Sequence, residues 1–383
     1  MIFKNLDFHN VEEIYSHKNI DGVLPARIPE RVSRHLSKVG QIMMLCLSGS
    51  EIRFVSDTYP VKISLSVDKI IKQLGDGVLS EAHVFFGGFQ SRQRFVLKQE
   101  KTTFGIIVPP KFPELAGRIA VSTPFSPDVC RIRFWGTSMG TPIRFHGIET
   151  RGKIRPPEAE EVPNLRYLAY GSSVTQGAYA SAPNLSFTDI VGTQLGADVI
   201  NLGTSCSAYC EPELADYIAE RNDWDFATLA ISVNMVDGFS PETFSKRAHY
   251  MIDRIAKSNE NRPVVCITIK PYYGDYVRSL KPELYRDLLR KAVQNSPHKN
   301  VYLVEGSELM PDVAGGLCLD MIHLGDNGMM QIGMNLAEKL KPILQSHGLW
   351  QPKAAPDGAS TSLKPEAFST HSVKLLKLFR RTQ

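Results

Sequence analysis

Polar and apolar residues alternate through the first third of the chain. In "PVKISLSVD" (60–68), Val61, Ile63, Leu65 and Val67 fall on one side, and Lys62, Ser64, Ser66 and Asp68 on the other. That is the period of a half-buried strand. "EIRFVSDT", "HVFFGGFQ", "RQRFVLKQ", "TTFGIIVPP", "CRIRFWG" and "PIRFHGIE" repeat the theme between Gly, Pro, Asp and Ser breaks. Many short strands at close spacing predict an all-β sandwich of jelly-roll type over residues 1–150.

The rhythm changes after "RGKIRPPEAEEVPN" (151–164), a charged, proline-rich stretch that reads as a linker. From 165 to 349 apolar strands alternate with helical periods. The strands are expected near 166–170, 198–203, 226–234, 263–270 and 300–305. In "FSPETFSKRAHYMIDRIAKSN", Ser240 suits an N-cap and Pro241 the first helical position. Phe244, Ala248, Met251, Ile252 and Ile255 then recur on one face. "KPELYRDLLRKAVQNS" and the run from about Asn327 are two further helices. Five strands with crossover helices predict a parallel sheet covered on both faces, a three-layer α/β/α domain.

Composition adds boundaries rather than detail. The chain has 383 residues, 43% apolar and 22% charged, which is ordinary for a globular protein. The N-terminus carries acids and no apolar core of a signal peptide, and no run is long enough to cross a bilayer, so a cytoplasmic location is expected. The segment after Leu349 (350–383) is expected to be a flexible tail. Its six basic and two acidic side chains account for the whole net charge of +4. The body is therefore balanced, and no nucleic-acid partner is expected. Cys46, Cys130, Cys206, Cys210, Cys266 and Cys318 form no CxxC pair, so they read as free, mostly buried thiols and not as a metal site.

Ligands of open α/β sheets bind beyond the carboxyl ends of the strands. The expected strand ends carry chemistry. The first stops at "YGSSVTQG" with Ser172 and Ser173, the second at "NLGTSC", and the third at "ISVNM" with Asn234. The loop before the last helix holds "DMIHLGDNG" with Asp320 and His323. A serine hydroxyl needs a base to become a nucleophile, and His323 is the candidate. Asp320 could then fix the imidazole tautomer. The Ser173 and Cys206 amides and the Asn234 side chain could supply donors to an oxyanion. Taken singly, each feature also fits a plain turn, a cap or a loop histidine; their order and common edge favour acyl transfer.

These four blocks resemble those of the SGNH hydrolases, the GDSL esterase/lipase superfamily. The resemblance implies a flavodoxin-like domain with Ser173, His323 and Asp320 as triad and Ser173, Cys206 and Asn234 as oxyanion hole. The preceding β-rich region and "CEPELADYIA" resemble a subgroup with an N-terminal jelly-roll, which includes family-two-like carbohydrate esterases and a related acyltransferase. Three positions depart from the pattern. Ser172 stands where an aspartate is common, Cys206 replaces the oxyanion glycine and would crowd the acyl pocket, and Ser232 replaces a glycine before Asn234.

The resemblance implies a serine esterase acting on short acyl esters, with O-acetyl on a sugar or small polyol favoured, and no metal or organic cofactor. An O-acyltransferase using the same residues and a non-catalytic glycan-binding protein are the rival readings. Ser172, Tyr209, Glu211 and Met235 are candidate substrate contacts. Lys270, Tyr272 and Tyr273 could line the cleft. Trp135 and "FFGGF" read as sandwich core rather than a sugar platform, and His83, His146 and His249 as structural or exposed.

Overall fold

The computed structural model describes residues 1–68, 80–119, 123–136, 141–258, 260–277 and 280–352. The N-terminal strands are β1 (Ile2–Phe3), β2 (Leu6–His9), β3 (Glu13–Tyr15), β4 (Leu24–Ala26), β5 (Glu51–Ser56), β6 (Val61–Val67), β7 (Ser80–Phe86), β8 (Phe89–Val96), β9 (Thr102–Ile106), β10 (Cys130–Gly136), β11 (Ile143–Glu149) and β12 (Ile154–Arg155). One sheet runs β1-β2-β5-β10-β7-β8, with β12 also pairing β5; another runs β11-β6-β9; and β3 pairs with β4. All these pairings are antiparallel.

Alternation explains how the two larger sheets meet. Val61, Ile63 and Leu65 of β6 join Phe8, Ile52, Phe54, Val84 and Ile132 from the facing sheet in one core. The region is thus β-rich, as expected, but not all-β: helices at Glu30–Ser33, Lys38–Leu45 and Phe112–Ile119 interrupt the strands. The segment 151–164 is itself partly structured: Ile154–Arg155 lie against Val55 and Ser56 of β5.

Beyond it come β13 (Leu165–Gly171), β14 (Ala197–Asn201), β15 (Phe226–Ala230), β16 (Val264–Ile267) and β17 (Val301–Val304), all parallel, in the order β14-β13-β15-β16-β17. This is the flavodoxin-like order, whose switch point lies between β13 and β15. Successive residues of β13 point to opposite faces. Leu168 and Tyr170 pack in one core, and Tyr167 and Ala169 in another. Helices α1 (Ser173–Gln176), α2 (Phe187–Leu195), α3 (Pro212–Glu220), α4 (Pro241–Ser258), α5 (Lys281–Gln294) and α6 (Asp326–Ser346) follow the strands. Leu214, Phe244 and Leu289 bring α3, α4 and α5 onto the first face, and Val191 and Leu336 bring α2 and α6 onto the second. That makes the three layers.

Residues Met1–Trp350 form one compact unit. Ile28, Val32, Leu36 and Met44, from the N-terminal third, sit inside the first α/β core. Among the described residues no helix is long and apolar enough to cross a membrane. The expected flexible tail lies, from residue 353 onward, outside the described residues.

Candidate active site

Strand β13 ends against two close neighbours. A Cβ on Gly171 would come within 2.3 Å of the Thr175 hydroxyl oxygen and 2.7 Å of the Ala230 carbonyl, so only glycine fits this turn. The chain then reverses into α1, with Ser172 at the N-cap and Ser173 as its first residue, both buried.

The β14 loop is knitted to this turn. The Thr204 amide donates to the Gly171 carbonyl at 2.8 Å, and the Ser205 amide to Gln176 Oε1 at 2.7 Å. Asn201 Nδ2 donates to the Thr175 carbonyl at 2.7 Å. A Cβ on Gly203 would lie 2.3 Å from the Gln176 nitrogen, so the loop can approach α1 only as glycine. From the N-terminal region, the fully buried Arg27 donates through Nη1 to the Asn201 and Gly203 carbonyls, each at 2.9 Å. Burial pushes its guanidinium down to about 10. Asn10 Nδ2 adds a bond to the Asn201 carbonyl at 2.8 Å.

His323 reaches Ser173 from the far end of the sequence. Its Nε2 lies 2.8 Å from Ser173 Oγ, and its Nδ1 lies 2.6 Å from Asp320 Oδ2. With the carboxylate accepting from Nδ1–H, Nε2 is left to accept the serine proton. Asp320 Oδ1 accepts the Ile322 and His323 amides at 3.0 and 2.9 Å. Burial raises the Asp320 carboxyl, but the His323 side chain and these two amides outweigh it and hold the group below its ordinary value. The loop is closed by the Cys318 amide on the His323 carbonyl at 2.8 Å and by Lys270 Nζ on the Ile322 carbonyl at 2.5 Å. Burial pushes the Lys270 ammonium down to about 8, against the pull of Asp320, Asp275 and Cys318.

A cavity of about 80 Å³ opens beside the serine. Ser172, Ser173 and Asn234 line its polar side; Phe187, Val233, Ile269, Leu309 and Ile332 are among its apolar walls, and Lys270 and Tyr272 also border it. Asn234 Oδ1 accepts the Ala208 amide at 3.2 Å, which leaves the Nδ2 group as the donor.

Several expected contacts lie elsewhere. Met235 is fully buried in the first core, because the turn after β15 folds it inward. The Tyr209 hydroxyl donates to the Cys206 carbonyl at 2.7 Å, and its ring packs on Phe239. Glu211 is buried at the start of α3, where burial raises its carboxyl. None of these three lines the cavity. Cys206 has φ 54°, the left-handed region that favours glycine, and its thiol is exposed and does not line the cavity. The crowding expected from that side chain is absent. Ser232 shares the strain, with φ 106°. Tyr273 packs on Tyr272. His83 is buried beside Glu81, His146 bonds Ser66 and Asp21, and His249 bonds the Ser245 carbonyl.

Sequence reasoning missed Tyr179. Its ring stacks on His323 with centroids 4.6 Å apart and planes 19° from parallel. It also placed Trp135 in the sandwich core, whereas the indole N–H donates to the Ala180 carbonyl at 2.5 Å. Among the described residues no group of three His, Cys, Asp or Glu side chains is arranged to hold a metal ion.

A model of the GDSL-like lipase/acylhydrolase family matches residues 166–345, the span that contains all four site blocks. Those residues belong to that family. The match makes this an ester-hydrolysing enzyme. No curated protein sequence matches the chain. Among solved structures, the chain is similar to the salicylyl-acyltransferase SsfX3 from a tetracycline biosynthetic pathway, with a TM-score of 0.70 at 14% identity over 90% of this chain and 96% of that one. A putative GDSL-like lipase from Bacteroides ovatus gives a TM-score of 0.62 at 17% identity, over 86% and 93% of the two chains. A family two carbohydrate esterase from Clostridium thermocellum, in complex with cellohexaose, gives 0.54 at 14% identity, over 78% and 94%. At these identities the likeness is one of fold, and it extends across both the sandwich and the α/β layers.

Proposed function

We propose that this enzyme removes short acyl groups, O-acetyl foremost, from a carbohydrate or similar small polyol. The observation that carries the reading is the continuous relay from Ser173 Oγ through His323 to Asp320, at 2.8 and 2.6 Å. In this reading residues 165–349 form the catalytic domain, and 1–150 the β-rich domain joined to it through 151–164.

Ser173 Oγ attacks the ester carbonyl while its proton passes to His323 Nε2. Asp320 holds the opposite ring nitrogen and stabilises the imidazolium. The oxyanion rests on the Ser173 and Cys206 amides and Asn234 Nδ2. Collapse of the tetrahedral intermediate breaks the bond to the alcohol oxygen, which takes the proton from His323. Water, deprotonated by the same imidazole, then attacks the acyl-serine and releases the acid.

The cavity supports a short acyl chain. Its 80 Å³ is about half the ~150 Å³ of an apolar cavity that takes up benzene. Neighbours described as carbohydrate esterases support a sugar or polyol alcohol.

Hydrolysis of acetylated sugars and nitrophenyl esters by the wild type and by Ser173→Ala tests the reading. Wild-type turnover with an inactive variant is expected; equal turnover by both would overturn it. The likeness to a salicylyl-acyltransferase favours a second reading, transfer to an acceptor hydroxyl in place of water. Product partition with a polyol acceptor present separates the two. Absence of a fluorophosphonate adduct on Ser173 in the folded protein would favour a glycan-binding protein without catalysis.

A further inference from the structure

We infer that Tyr179 is a positioning residue for His323, and that the β-rich region holds it there through Trp135. The inference rests on His323 being the general base.

The two hydrogen bonds of His323 lie in the plane of its ring. They fix rotation within that plane and leave tilting out of it less restrained. The Tyr179 ring supplies the missing restraint, lying nearly parallel to the imidazole at 4.6 Å between centroids. The tyrosine is 43% exposed, so burial in a core does not account for its place. Its hydroxyl makes no hydrogen bond among the described residues, so it is the ring that is used.

The backbone holds Tyr179 in this position against its own preference. Its φ is 69°, a conformation that bulky residues rarely adopt. Such outliers persist only where the surroundings over-determine them. Here there are two tethers. Trp135 Nε1 on β10 donates to the Ala180 carbonyl at 2.5 Å. Ser181 donates through its amide and hydroxyl to Asp326 Oδ1 and Oδ2, at 2.8 and 2.7 Å. Asp326 opens α6, three residues beyond His323. One tether thus fixes the loop to the sandwich and the other to the segment that carries the imidazole. Tyr179 is pinned between them.

The consequence is specific to the transition state. When His323 takes the serine proton, the cation faces an aromatic π surface, which attracts it. Ground-state binding of the ester gains little from that contact, so the effect falls on kcat and not on KM.

The test uses the full chain. Tyr179→Ala and Tyr179→Leu are expected to lower kcat by about 10- to 100-fold, with KM changed less than about threefold for esters of both small and bulky alcohols. Fluorophosphonate labelling of Ser173 should slow in parallel. Tyr179→Phe keeps the ring and should restore kcat to within about twofold of wild type. Trp135→Phe should reproduce part of the loss, again in kcat. Melting temperatures of all variants exclude unfolding as the cause. The inference fails if Tyr179→Leu keeps wild-type kcat, if Tyr179→Phe loses as much as Tyr179→Leu, or if the losses appear in KM and track the alcohol, which would make Tyr179 a substrate contact. Ser173→Ala runs alongside: turnover surviving in that variant would sink the underlying triad reading, whereas an inactive Ser173→Ala with normal Tyr179 variants would sink only the role of the tyrosine.

Discussion

Arg53 of β5 lays its two terminal nitrogens on the carboxylate of Asp198 in β14, each at 2.7 Å, and so ties the sandwich to the parallel sheet. Both side chains are nearly inaccessible. Glu51 bonds Arg53 and Arg131 from the same joint, and Arg133 reaches Asp189 of α2. Burial would raise Asp198, but Arg53 and His9 outweigh it and hold the carboxyl low. Against its own burial, Glu51 is held well below its ordinary value by Arg131, Arg53 and Arg133.

Breaking one side of that pair strands the other. Asp198→Ala should cost about 3–5 kcal/mol in denaturant unfolding, and an apolar replacement of both Arg53 and Asp198 should recover most of it. The pH dependence follows from the same groups. Because Asp198 and Glu51 are lowered on folding, their stabilisation is complete above the ordinary carboxylate range and is lost as pH falls through their folded values. Acid unfolding of Asp198→Ala should therefore be less steep than that of the wild type.

Asp320→Asn tests the proposed role of Asp320 in orienting His323 as the base. The amide keeps an oxygen for the Ile322 and His323 N–H groups but can present an N–H to His323 Nδ1, which favours the wrong tautomer. A fall in kcat of about 10⁴ is expected, with the fold retained.

On the proposed mechanism, Asn234→Ala removes one oxyanion donor. Steady-state kinetics should show kcat reduced by about 10² to 10³ and KM little changed. A change confined to KM would instead make Asn234 a binding residue.

Lys270 is lowered to about 8 by burial, from 10.5. The unfolded chain binds that proton over the interval where the folded one has released it, so stability rises with pH from about 8 to 10.5. Between pH 7.5 and 9.5 the wild type should gain about 1–2 kcal/mol relative to Lys270→Met. Parallel stability curves for the two proteins would contradict the assignment.

Acyl selectivity should follow the cavity. Among nitrophenyl esters, kcat/KM for benzoate should fall about 10- to 100-fold below acetate or propionate, the cost of overfilling a packed apolar site.

The sequence revealed what has a local signature. The alternation at 61–67 marked β6, although Ser64 and Ser66 on its polar side are buried as well, and the period of Phe244, Ala248, Met251 and Ile255 marked α4, where burial on one face imposes the spacing. The residues of the Ser173–His323–Asp320 relay were legible because each block stands at a strand end or a helix start. Helices α2 and α3 carry readable caps, Ser186 and Gly196 for α2 and Pro212 for α3. What could not be read were partnerships across the chain. Trp135 with Ala180, Arg53 with Asp198 and Arg27 with Gly203 obey no spacing rule. Met235 shows the same limit: its neighbour Asn234 faces the cavity while it turns into the core.

The grip of Arg27 on Asn201 and Gly203 joins residues 174 and 176 positions apart. The segment leaves the ribosome long before its acceptors exist. Until residue 203 has been made, Arg27 Nη1 lacks these two acceptors, although Nη2 can already reach the Met43 carbonyl, and the stretch around Ile28 and Val32 has no α/β core to enter. Such distant pairings slow folding, because the closure entropy must be met before the contact stabilises anything. The segment around Arg27 is therefore expected to settle late in folding, with its apolar side chains open to aggregation until then.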